Sequence, residues 1–158
     1  MNAAWITSEE FASLKPVDLN GKEHGAKNKP CAGHRNRHIW FRKRVSLDDI
    51  ATCTVRITAD DVYKLYINGA FVMSGPAPSY PRAHYYNEKK IDRFLHPGEN
   101  EILVHTYYQG LCNRHLYSGD LRHGLWFEFT CGGDTVCVSD TDWEYAYDNS
   151  FEEARTIG

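Results

Sequence analysis

The sequence predicts an all-β fold, an antiparallel β-sandwich or jelly roll, and three observations carry that expectation. Apolar residues recur with a period of two in one segment after another. Glycine, proline, asparagine and aspartate punctuate these segments at short intervals. No stretch shows a helical period beyond a weak turn near Ser8 to Leu14.

The first clear strand is His38 to Val45, where Ile39, Phe41 and Val45 mark one face and Trp40, Arg42 and Arg44 the other. Thr52 to Thr58 sets Cys53, Val55 and Ile57 on one side, and Tyr63 to Ile67 does the same with Tyr63, Leu65 and Ile67. Asn68-Gly69 follows directly and reads as a hairpin turn, because both residues tolerate positive φ, with Ala70 to Met73 returning. Pro97-Gly98-Glu99-Asn100 is a turn feeding Glu101 to Tyr108, whose two faces are both apolar enough for an inner strand. Leu125 to Thr130 and Thr135 to Ser139 flank the loop Gly132-Gly133-Asp134, and a last hairpin-like segment surrounds Asp140 to Trp143. Asn20 to Asn36 reads as a long polar loop. Trp40 and Trp126 are expected in a packed core, and Trp5 and Trp143 are expected to pin the two ends.

With 158 residues one domain is expected, and 42% hydrophobic against 25% charged residues excludes the disordered class. A formal charge of −3 provides no field to collect a polyanion, so nucleic acid is an unsuitable partner. No apolar run approaches the roughly 20 residues of a membrane helix, and the start lacks a secretory pattern. Five cysteines without a C-x-x-C pair favour reduced thiols and a cytoplasmic chain, Cys131 and Cys137 included although they flank one hairpin.

The run ITADDVYKLYINGAFVMSGPAPSYPRAHYY, from Ile57, and the later IDRFLHPGENEILVHTYYQG resemble the N-terminal β-sandwich domain of bacterial α-L-rhamnosidase-like glycoside hydrolases. IWFRKRVSL resembles that domain's entering strand, and HGLWFEFTCGGDTVCVSDTDWEY its closing hairpin. The likeness takes in Trp5 and His38 to Tyr147, and parts of it are shared with β-galactosidase-like hydrolases. It implies a galactose-binding-domain-like sandwich over 38–147, an N-terminal extension over 1–37 packing on it, and the start of a linker over 148–158. It also implies that catalysis belongs to a helical barrel downstream, with no catalytic residue and no cofactor in this piece. One departure stands out, since Pro78 occupies the place where the pattern has arginine, which removes a bidentate donor.

The most informative stretch for binding is Ser74 to Tyr86, where prolines stiffen a loop that presents Tyr80, Arg82, His84, Tyr85 and Tyr86. Sugars stack their CH faces on aromatic rings and hydrogen-bond their hydroxyls to such polar groups. A second cluster past the inner strand contributes Tyr108, Asn113 and His115. The expected partner is a carbohydrate, of rhamnoside type by the resemblance; the competing expectations are that these rings dock on the catalytic domain of the same chain, or that the chain is a free-standing lectin-like carbohydrate-binding domain. The acids Asp60, Asp61, Glu88, Asp92, Glu99 and Glu101 read as solvated turn acids or cross-strand partners. The string Cys31, His34, His38 has part of a zinc spacing, but Arg35 and Arg37 interleave it, and calcium at Asp60, Asp61 and Glu99 has little support. No metal is assigned.

Overall fold

The computed structural model describes residues 2–17, 33–79, 83–110 and 118–151. A short helix, α1 (Glu9–Ala12), precedes nine strands: β1 (Arg37–Leu47), β2 (Cys53–Asp60), β3 (Val62–Ile67), β4 (Ala70–Gly75), β5 (Asn87–Lys90), β6 (Gly98–Tyr108), β7 (Gly124–Cys131), β8 (Asp134–Val138) and β9 (Glu144–Tyr147). They form a five-stranded sheet in the order β4-β3-β6-β1-β9 and a four-stranded sheet in the order β5-β2-β7-β8, with every pairing antiparallel. The chain is therefore the expected antiparallel β-sandwich.

Period-two alternation decides which side chains meet between the sheets. Ile39, Phe41 and Val45 of β1, Tyr63, Leu65 and Ile67 of β3, and Ile102, Val104 and Tyr108 of β6 face Val55 and Ile57 of β2 and Leu125, Phe127 and Phe129 of β7 in one core. The inner-strand reading of β6 holds, since it pairs with β1 from Arg37↔Tyr108 to Leu47↔Gly98 and with β3 on its other side. Asn68 (φ 50°) and Gly69 (φ 77°) both adopt the left-handed backbone that the hairpin demands. Asn100, fully buried, organises that end of the sandwich: its amide donates to the carbonyls of His96 and Gly98, and its Oδ1 accepts from His96 N and Asn68 Nδ2.

Three expectations are corrected. Trp40 and Trp126 are half-buried on the outer faces of the sheets, because alternation with the buried pairs Ile39/Phe41 and Leu125/Phe127 turns them away from the core. Trp40 instead stacks on His105 at 4.5 Å and donates its Nε1–H to Asp148 Oδ2 at 3.0 Å. The polar strand β5 was not foreseen; it is an edge strand held by its backbone to β2, with Glu88 paired to Arg56 at 2.6 Å. Reduced thiols are not found throughout, for Cys53 and Cys131 stand directly opposite on β2 and β7 and are disulfide-bonded. Cys137 lies opposite Phe129 instead and is free and buried. Peptide mapping without reductant is expected to recover the Cys53 and Cys131 peptides cross-linked; recovery of both as separate alkylated peptides would contradict the pairing. The argument from thiols to a cytoplasmic chain falls with it. Among the described residues no helix is long and apolar enough to cross a membrane.

The N-terminal segment is stitched to the four-stranded sheet. Ile6 and Leu125 exchange backbone hydrogen bonds at 2.9 Å, and Ala4 N donates to Ser139 O. Phe11 of α1 then enters the core edge-on to Tyr108, with ring centroids 4.9 Å apart. At the other end Trp143 is buried against Phe127 and donates its indole N–H to Val138 O.

Candidate functional site

At one end of the sandwich β2 runs out into Asp60-Asp61 as the chain crosses to β3, and the residues leading into β7 lie alongside. The N-terminal segment closes over this end. Between these parts is a cleft of about 500 Å³ lined by Trp5, Phe11, Leu14, Asp60, His84 and Arg122, among others. That volume falls within the range of small-ligand pockets, and the mixed apolar and polar lining is of the same kind.

Trp5 is the aromatic wall. It is 46% exposed, so a face of the indole remains open, while His84 packs against it with ring centroids 4.9 Å apart. Gly124 permits this placement: a Cβ there would come within 2.9 Å of the Trp5 ring. Trp5 does pin its end of the chain, as expected, but it does so while presenting surface to the cleft.

Asp60 is the carboxyl of the lining, and Asp61 and Asp120 are near enough for their charges to act on it. Asp61 accepts hydrogen bonds from Gln109 N at 2.9 Å and from the Ser118 hydroxyl. Burial pushes the Asp60 carboxyl up to about 8, reinforced by the charges of Asp61 and Asp120. Burial raises Asp61 to about 6, with the Ser118 and Gln109 hydrogen bonds working against the rise. The two neighbouring carboxyls thus hold one proton between them near neutral pH, and Asp60 is the member that keeps it. Asp120 is buried and raised by burial, and its Oδ2 lies 3.5 Å from Arg122 Nε.

Histidine supplies the floor. Thr106 gives its hydroxyl hydrogen to Ile39 O, so His123 Nε2 must donate to Thr106 Oγ1 at 2.8 Å, which leaves Nδ1 to accept from the Thr7 hydroxyl at 3.1 Å. Burial holds this ring neutral, with its pKa lowered to about 3. His84 is also lowered, first by burial and then by the charge of Arg122.

The residues expected to bind divide sharply. His84 lines the cleft. Tyr85 and Tyr86 are 60% and 58% exposed, and the Tyr85 carbonyl accepts a hydrogen bond from Thr58. Tyr108 is corrected: it is fully buried, its hydroxyl accepting from Leu121 N, so it supports the cleft from beneath and offers no surface to a ligand. Tyr80, Arg82, Asn113 and His115 lie outside the described residues.

Asp60 and Asp61 are likewise not the solvated turn acids expected, because the crossing between the sheets draws them into the end of the core. Glu88, Asp92, Glu99 and Glu101 do follow the expectation. They pair with Arg56 or Arg44, or, for Asp92, accept from Cys53 N. Of the zinc string, Cys31 is outside the described residues, His34 bonds Glu10 and His38 bonds His105. Asp61 and Glu99 sit near opposite ends of β6, so they share no ion, and no group of ligands able to hold a metal occurs among the described residues.

A proton-sharing carboxyl pair is also what an acid–base catalyst presents. Glycosidases, however, hold their two carboxyls about 5 to 9.5 Å apart to flank a bond. Groups close enough to share a hydrogen bond leave no room for one.

No family model and no curated protein matches this chain. Among solved structures it is similar to a GH78-family rhamnosidase of Bacillus sp. GL1, at 27% identity and TM-score 0.71, over 93% of this chain and 13% of that one. It is similar to the α-L-rhamnosidase of Aspergillus terreus at 28% identity and TM-score 0.56, over 70% of this chain and 14% of that one. It also resembles the lectin of Pleurotus ostreatus solved with GalNAc, at 27% identity and TM-score 0.50, over 84% of this chain and 37% of the lectin. The chain spans 13–14% of the length of these two rhamnosidases. Both the quoted sequence runs and the three-dimensional likeness thus lead to one conclusion: this chain is a β-sandwich similar to a part of α-L-rhamnosidases.

Proposed function

We propose that the chain is a non-catalytic accessory domain of an α-L-rhamnosidase-like glycoside hydrolase, and that it binds carbohydrate in the cleft beside Trp5. The observation that carries this reading is the half-open indole of Trp5 beside the hydrogen-bonding groups of Asp60, His84 and Arg122 in one cleft. An aromatic face takes the apolar CH side of a pyranose, and the polar groups take its hydroxyls. A carboxyl that keeps its proton is well suited, since it both donates to and accepts from a sugar hydroxyl. Similarity to a rhamnosidase and to a lectin solved with GalNAc supports the same class of ligand.

Titration with L-rhamnose, rhamnosides and GalNAc, followed by tryptophan fluorescence and calorimetry, tests the reading. A saturable response at millimolar sugar is expected, with Trp5→Ala weakening it at least tenfold. Absence of any response, or equal affinity in Trp5→Ala, would remove the cleft as a sugar site.

A second reading has its own support. The outer face of the five-stranded sheet carries a row of rings: Phe71, Tyr66, Trp40, His105 and His38, with Phe151 stacked on His38 at 3.7 Å. Phe71 and Phe151 are each about half exposed, at 55% and 49%. Such a surface suits packing against a catalytic domain of the same chain, the role of a structural module.

A further inference from the structure

The cleft beside Trp5 has two ends of different chemistry. At one end the contacts gather on Gly124: the Trp5 ring lies over it, Asp60 stands opposite it in the β2–β7 register, and His84 packs on Trp5 with ring centroids 4.9 Å apart. The Arg122 charge acts on both Asp60 and His84, which places it with this polar group. The other end is built over Tyr108. Phe11 meets that ring edge-on at 4.9 Å, and Leu121 N donates to its hydroxyl at 3.0 Å, so Phe11 and Leu121 share one support. His123 lies against Phe11, again at 4.9 Å, but Thr7 and Thr106 engage both of its nitrogens, and it offers only ring surface. From Phe11 the chain lines the cleft with Ala12, Leu14 and Pro16, until Val17 N donates to Asp120 O at 2.8 Å and ties the segment down beside Leu121. Ala12 and Pro16 are exposed and Leu14 is half-buried, so the core does not consume this aliphatic surface.

Resting on the carbohydrate-binding reading above, we infer that the Tyr108 end is a second subsite, formed by Ala12, Leu14, Pro16 and Leu121, and that it takes an aliphatic chain carried by the bound sugar. A pyranose seated on Trp5 meets hydrogen-bonding side chains at the Gly124 end. A second sugar ring at the Tyr108 end would bring hydroxyls against Leu14, Pro16 and Leu121, whose side chains offer them no partner. A cleft of about 500 Å³ nevertheless extends beyond one pyranose, since pockets of this size take drug-sized ligands. Aliphatic carbon suits that space, because each methylene taken out of water there adds to binding. Phe11 is buried with its ring against Tyr108 and His123, so aliphatic side chains rather than an open aromatic face meet the chain.

The test uses methyl, n-butyl and n-hexyl glycosides of L-rhamnose, galactose and GalNAc, each titrated calorimetrically into the whole chain at neutral pH and below its micelle concentration. For a sugar that binds, the hexyl glycoside is expected to bind at least tenfold more tightly than the methyl glycoside. The 2-methoxyethyl glycoside, as long as the butyl but polar, should gain little over the methyl. Butyl galactoside and 6-O-butanoyl galactose carry the chain at different positions of the ring; a gain in either supports the subsite and tells which position faces it. Trp5→Ala should weaken the whole series and keep the hexyl-to-methyl ratio, whereas Leu14→Ser should lower that ratio several-fold. The chain-length series needs no variant and decides the matter should Leu14→Ser fail to fold. Methyl glycosides that bind while longer chains add nothing, a methoxyethyl gain equal to the butyl one, or a hexyl-to-methyl ratio undiminished in Leu14→Ser overturns the aliphatic subsite and leaves sugar binding intact. If no member of the panel binds, the carbohydrate reading itself is overturned, and the subsite goes with it.

Discussion

Replacing Phe127 by alanine is expected to destabilise the fold by about 4 kcal/mol, the usual range for a large aromatic removed from a rigid core. Phe127 is fully buried on β7, an inner strand of the four-stranded sheet, and its ring lies T-shaped to Trp143 at 5.1 Å. Its backbone N–H donates to the Ser139 hydroxyl, which in turn donates to Ala4 O. The cavity left by alanine therefore lies beside Trp143 and the Ser139–Ala4 hydrogen bond, anchors that limit collapse. For a domain of this size the thermal midpoint should fall by roughly 10 °C. Phe127→Leu keeps most of the volume and should cost about 2 kcal/mol or less. Chemical denaturation of the three proteins checks this; a loss below about 1 kcal/mol for the alanine variant would mean that Phe127 does not occupy the core described.

The second large effect is a stability maximum near pH 6.5. Asp60 binds its proton more tightly in the folded chain than in the unfolded one, so the folded state holds a proton between about 4 and about 8 that the unfolded state has released. Stability therefore falls as pH rises through that window. Asp61 adds to the fall only up to about 6. The histidines oppose it from the acid side. His123 and His105 are held neutral down to about 3 and about 4 by burial, whereas the unfolded chain protonates them near 6.5. Stability is thus lost as pH drops below 6.5, and His38, also lowered by burial, contributes in the same direction. The carboxyls dominate above pH 6.5 and the histidines at least balance them below it. Between pH 6.5 and 8.5 the loss should be on the order of 2 kcal/mol, or about 5 °C in midpoint. Asp60→Asn should remove most of that alkaline slope, because an amide can donate to Asp61 as the protonated acid does. Thermal melts of both proteins from pH 5 to 8.5 decide it, and an unchanged alkaline slope in Asp60→Asn would show that Asp60 is not the proton-holding group.

Most of the fold was legible because its strands alternate cleanly and its turns use residues with few other options. Ile39, Phe41, Val55, Ile57, Leu65 and Ile67 declare a face by spacing alone, and Asn68-Gly69 declares a hairpin. β5 left no such trace. Its Asn-Glu-Lys-Lys sequence is polar throughout, and an edge strand needs only its backbone to pair. The disulfide was illegible for a related reason: Cys53 and Cys131 are 78 residues apart, and only the β2–β7 register brings them opposite one another.

The candidate site was legible in one residue, His84. Asp60 and Asp61 had a readable signal that pointed the other way, since two adjacent acids after an apolar strand resemble a turn. Their distinctive feature is that the strand before them is buried through Ala59, which carries the chain end of β2 into the interior. Trp5 and Arg122 are separated by most of the sequence, and no local pattern joins them. Tyr108 misled because the run Tyr107-Tyr108 looks like a surface cluster, whereas alternation sends only Tyr107 outward.

The Ile6–Leu125 bridge has a practical consequence for how this domain is cut and fused. A boundary drawn at β1, where the strand pattern begins, would retain every strand of both sheets yet discard Trp5, Phe11 and Leu14, and so remove one wall of the cleft. A shortened protein of that kind would look native by circular dichroism and still lack the wall on which the proposed sugar site depends.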